Sequence, residues 1–73
     1  MTQPLEPARY RITIQGHLDK SWTAWLGNMT ITHNRRGNTV LTGPVADQAA
    51  LRGILCRVWD LNLTLISTVR TRR

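Results

Sequence analysis

Thr39-Val40-Leu41-Thr42-Gly43-Pro44-Val45-Ala46-Asp47, a helical stretch to Leu61, then Asn62-Leu63-Thr64-Leu65 is the passage that decides the fold. It spells a strand, a glycine turn, an aspartate suited to capping a helix, the helix, and an asparagine that releases the chain into another strand. The same order occurs earlier. Ile12 leads through a strand to Gly16, Asp19 and a short aromatic-rich helix, and then comes Asn28-Met29-Thr30-Ile31. Two such units in tandem predict a βαββαβ sandwich. The expected class is α+β and ferredoxin-like: a four-stranded antiparallel sheet with a short and a long helix on one face.

In the first unit, Tyr10, Ile12 and Ile14 alternate with Arg9, Arg11, Thr13 and Gln15, the period of a half-buried strand. Trp22, Trp25 and Leu26 share one face of the short helix, and Gly27 suits the left-handed position that ends it. Met29, Ile31 and His33 form the inward side of the next strand, and the Gly- and Asn-containing loop from His33 to Asn38 predicts a hairpin. Thr39 to Gly43 is the third strand, closed by Gly43-Pro44. Leu51, Ile54, Leu55, Val58 and Leu61 make the apolar stripe of the long helix. Leu63, Leu65 and Val69 then point inward from the last strand. Gly16 to Asn28 is twelve positions and Gly43 to Asn62 is nineteen. The missing seven residues are about two turns, or roughly 10 Å of helix, so one side of the sheet is under-covered. Trp22 and Trp25 supply the bulk there, or a partner chain or ligand fills the gap.

Seventy-three residues allow one domain, read as an arm over residues 1–8, a folded unit over 9–70 and a basic tail over 71–73. A chain this short buries only about 60% of its unfolded surface. Its single Cys56 excludes an internal disulfide, and His17, His33 and Cys56 lack the short spacing of a metal site. No metal or cofactor is expected, and self-association as a homodimer is the expected source of extra stability. The N-terminus has no signal-peptide pattern, and no apolar run approaches the ~20 residues of a membrane span. These features predict a cytoplasmic protein with no membrane partner. Of the four acids, Glu6 lies in the arm, Asp19 and Asp47 look like helix caps, and Asp60 stands alone. No carboxylate pair, nucleophile–base set or phosphate loop is recognisable, so no enzyme and no catalytic residue is expected.

Three surfaces are candidates for partner binding. On the long helix, Arg52, Cys56 and Trp59 share a flank at i, i+4 and i+7; Trp beside Arg is the composition of interface hot spots. The plainer alternative has Trp59 closing the rim of the core. The outer face of the sheet collects Arg11, Thr13, Gln15, Thr30, Thr32, Thr64, Ile66 and Thr68, with Val40 and Thr42 if the repeat fixes their parity. It is threonine-rich and almost uncharged at its centre, which suits back-to-back pairing of two copies through Thr13, Thr30, Thr32, Thr64 and Ile66. The third surface is basic. Net charge is +6, and Arg35 and Arg36 in the hairpin with Arg70, Arg72 and Arg73 at the C-terminus would attract a polyanion. Thr13 and Gln15 stand where an RNA-recognition sheet needs stacking aromatics, and the third strand has none, so nucleic-acid binding would be electrostatic and weak in sequence preference.

From Thr39 to Leu51, and again from Asp60 to Ser67, the chain resembles an ACT domain. The resemblance implies a ferredoxin-like module that pairs with a second copy and, in many members, binds an amino acid at the strand-to-helix turn. The glycine of that family's pocket would fall near Ala50. The Gly16-His17-Leu18-Asp19 to Trp22 segment resembles small uncharacterised bacterial proteins, a likeness that implies no activity. Together these features predict a small non-enzymatic interaction module, self-pairing or contacting another protein through its sheet face or helix flank. Non-specific polyanion binding and ACT-type ligand sensing are the alternatives.

Overall fold

The computed structural model describes residues 8–72, without the side chain of Arg72. Of the arm expected over residues 1–8, residues 1–7 lie outside the described residues, as does Arg73, and Ala8 belongs to the first strand. Strands β1 (Ala8–Ile14), β2 (Thr30–His33), β3 (Thr39–Val45) and β4 (Leu65–Arg72) form one sheet in the order β2-β3-β1-β4. Every neighbouring pair is antiparallel. Helix α1 (Gln48–Asp60) joins β3 to β4, and only a 3-10 turn, Lys20–Thr23, stands between β1 and β2. The class is therefore α+β, with one helix and a 3-10 turn.

That corrects the two-helix expectation: this is not a classic βαββαβ ferredoxin fold. Lys20 to Leu26 is seven residues, under two α-helical turns, and a helix nucleus fixes several residues for its first hydrogen bond. Asp19 still caps the segment, accepting from the Ser21 amide, but the chain closes tighter turns instead. One detail is shared by the two halves. Asn28 and Asn62 both take φ of 61°, the left-handed conformation, and each delivers the chain to a strand.

The core lies between α1 and one sheet face. Ile12 and Ile14 of β1, Ile31 of β2, Leu41 and Val45 of β3, and Leu51, Ile54 and Val58 of α1 are buried. Leu26 and Met29 close the side below the 3-10 turn. Trp22 and Trp25 do not: they are 39% and 40% exposed. The turn is too short to lay two indoles on the sheet, so Leu26 alone of the three reaches the interior. β3 runs past Gly43-Pro44 to Val45, because Pro44 pairs only with the β1 end, at Arg9.

Asp47 caps α1, its Oδ1 accepting from the Ala50 amide at 2.8 Å. Replacing Asp47 with alanine is expected to cost about 1 kcal/mol, seen as a lower urea midpoint at unchanged slope. The largest departure from simple alternation is in β4. Thr13 pairs with Ser67 but Ile14 pairs with Leu65, so Ile66 is an extra residue in a β-bulge. Beyond it the parity reverses. Thr68 stands opposite Ile12 on the core side, its hydroxyl buried without a partner, and Val69 stands opposite Arg11 on the outer face. Among the described residues, no helix is long and apolar enough to cross a membrane.

Candidate functional site

A clamp at the top of the sheet fixes how the crossover leaves β1. The fully buried Thr39 accepts from the Leu18 amide at 2.7 Å and donates its hydroxyl to the Gly16 carbonyl at 2.8 Å. Asn38 Oδ1 accepts from the Gly16 amide, and His33 Nε2 donates to the Leu18 carbonyl at 2.7 Å. The rings of His17 and His33 stack at 3.9 Å, 12° from parallel. Each histidine is thereby engaged in structure. The hydrogen bond from Ser21 holds the Asp19 carboxyl below the usual aspartate range. Among the described residues, no group of three or more His, Cys, Asp or Glu is placed to hold a metal ion.

A shallow groove of about 420 Å³ lies between the segment that follows the 3-10 turn and α1. Ala24 and Gly27 form one wall, Ala50 and Gly53 the other, with Arg57 as the one charged group. Arg57 is occupied by Trp25: its Nη1 donates to the Trp25 carbonyl at 3.1 Å, and the guanidinium lies 4.7 Å from the indole centroid. Arg52, Cys56 and Trp59 are all exposed on the outer flank of α1, and Trp59 is 52% exposed rather than closing the core rim.

On the opposite side of the sheet the register sets the outer face. Arg9, Arg11 and Thr13 of β1 align with Pro44, Thr42 and Val40 of β3, and these with Thr30 and Thr32 of β2. Ser67 and Val69 of β4 complete it. Thr13, Thr30 and Thr32 thus stand where the sequence placed them. Thr64 precedes β4, Ile66 is the bulged residue, and Thr68 faces inward, so the β4 share of that expected surface is corrected by the bulge. Arg35 and Arg36 are exposed in the β2–β3 hairpin. Arg70 and Arg72 belong to β4 and stand beside Tyr10 and Arg9, so the basic segment begins as strand rather than tail.

Sorting charges by layer gives the clearest pattern in the molecule. On the layer of α1 and the 3-10 turn, Lys20, Arg52 and Arg57 are matched by Asp19, Asp47 and Asp60. Among the described residues, the sheet and hairpin carry Arg9, Arg11, Arg35, Arg36, Arg70 and Arg72 and no acid. Glu6 and Arg73, outside the described residues, cancel. Among the described residues the excess of positive charge therefore lies on the strands and hairpin, with Arg70, opposite the buried Tyr10, on the helical side of its strand. Arg9 and Arg11 are the members that the basic loop-and-tail reading missed. Their alternation with Tyr10 and Ile12 already put them on the outer face, and the missing step was to ask which acids could accompany them.

These features define a small α+β domain with a neutral helical layer and a cationic sheet layer. The chain belongs to the family described as "Domain of unknown function (DUF8691)", whose model matches residues 9–69. Neither curated proteins nor solved structures give a match.

Proposed function

We propose that this chain is a non-enzymatic binding module whose sheet layer holds the phosphate backbone of a nucleic acid. The observation that carries the reading is the charge division: among the described residues the strands and hairpin carry arginines without an acid, with Arg9, Arg11, Arg35 and Arg36 exposed, while the helical layer is balanced. Guanidinium groups meet phosphate oxygens in paired, charge-assisted hydrogen bonds. The hydroxyls of Thr13, Thr30, Thr32, Thr42 and Ser67 beside them are further phosphate donors. Nothing on this face reads base edges or stacks on bases, so binding is indifferent to sequence and sensitive to salt.

Face-to-face homodimerisation through the same surface is less favoured, because Arg9 and Arg11 of both copies would join a surface with no acid to meet them. A protein contact on the α1 flank remains the second reading, supported by the exposure of Trp59 beside Arg52 and Cys56. Strand order and the two crossovers also support describing the fold as a ferredoxin-like one whose first helix has shrunk to a turn.

The test is an anisotropy titration of a labelled oligonucleotide at low salt. With log affinity falling by about 0.9 per phosphate contact for each tenfold rise in salt, each arginine is worth roughly eightfold at 0.1 M. Arg9→Gln with Arg11→Gln is expected to weaken binding by roughly 60-fold there. Equal affinity of this variant and the parent chain would remove the sheet face from the site.

A further inference from the structure

We infer that the nucleic acid is a duplex, gripped across two phosphate rows rather than followed along one strand. This rests on the reading above and adds the partner's form and the way it lies. The arginines are not spread evenly over the sheet layer. Arg9 and Arg11 stand on the outer face where β1 begins, beside the end of β4; Arg70, opposite the buried Tyr10, has the parity of the helical side. Arg35 and Arg36 sit in the hairpin beyond the opposite ends of β2 and β3. With the strand order β2-β3-β1-β4, those two places are diagonal corners.

Arg9 to Ile14 is roughly 17 Å of strand, and the hairpin begins past that level. Two inter-strand steps of about 4.8 Å separate the corners sideways, which makes the diagonal at least roughly 20 Å. Between them Thr13, Thr32, Val40 and Thr42 form an uncharged floor. B-form DNA shows phosphates on both banks of a major groove about 12 Å wide, and the phosphate groups themselves add to that span. That separation matches the two corners, with the neutral floor spanning the groove mouth.

A single strand offers one row of phosphates, which either serves one corner or crosses the uncharged floor. Single-strand binders also gain affinity by stacking bases on aromatic side chains. The outer face has none: Tyr10 is buried on the other side, and Trp22, Trp25 and Trp59 belong to the helical layer.

The full chain is titrated against a duplex of about 20 base pairs and a single strand with the same number of phosphates, across 50 to 200 mM salt. For the duplex, log affinity against log salt is expected to fall with a slope of about −3.6, from four arginines at about −0.9 each. Arg9→Gln/Arg11→Gln and Arg35→Gln/Arg36→Gln should each reduce that slope by about 2, and additively. All four side chains are exposed, so circular dichroism of the variants should match the parent. Tighter binding to the single strand, or a slope indifferent to the hairpin pair, overturns the duplex inference while leaving polyanion binding in place. No binding to either polymer at 50 mM salt overturns both.

Discussion

Thr39→Val is expected to destabilise the domain by about 2–3 kcal/mol, although it preserves side-chain shape. Among the described residues Thr39 is a fully buried polar residue, and its hydroxyl both accepts and donates. Valine leaves the Leu18 amide with no acceptor in a buried setting, and the full desolvation penalty of that group remains. The Gly16 carbonyl is nearer solvent and recovers part of its loss from water. For a chain of this size the change corresponds to a drop of roughly 10–20 °C in melting temperature. Thr39→Ser keeps the hydroxyl and should fall well short of that. A valine variant melting within a few degrees of the parent would show that the clamp is dispensable.

The second large effect concerns the 3-10 turn. Leu26 is fully buried, so Leu26→Ala is expected to cost about 2–5 kcal/mol, combining lost transfer energy with the cavity left behind. Trp22→Ala removes a larger side chain, yet 39% of Trp22 already faces solvent. Its cost should stay below that of the leucine, reversing the order that size alone suggests. Urea unfolding of the two variants gives the comparison directly, provided the slopes agree. A tryptophan variant weaker than the leucine variant would mean that the indole, rather than Leu26, anchors the turn.

How far these features were legible in advance differs from element to element. β1, β2, α1 and the hairpin follow from strong periodicity and from Gly and Asn at the turns, and they stand within a few residues of their expected places. Asn28 and Asn62 share the left-handed conformation before a strand, while the helices expected ahead of them differ, one being only a 3-10 turn. The first crossover was misread because spacing at i, i+3 and i+4 is compatible with a tight turn as well as an α-helix, and length decides between them. β4 was misread for a different reason. Leu63-Thr64-Leu65 alternates, but Leu65-Ile66 and Ser67-Thr68 break the period, and where the bulge falls is dictated by the partner strand, which is absent from the local pattern. For the candidate site, Thr13, Thr30, Thr32 and the hairpin arginines were visible from periodicity. The charge division was not, since it emerges only when elements distant in sequence are stacked into layers.

The irregularities of β4 have a consequence for how this protein behaves when crowded. β4 is the longer of the two border strands, and an uninterrupted ribbon of free amides and carbonyls there would invite neighbouring molecules to add on and propagate as fibrils. Register breaks at Ile66 and again near Thr71 leave only Ser67 to Arg70 in even pairing with β1. So short a template, ending in a cation, offers little for another chain to copy, and the fold carries its own guard against amyloid-like growth.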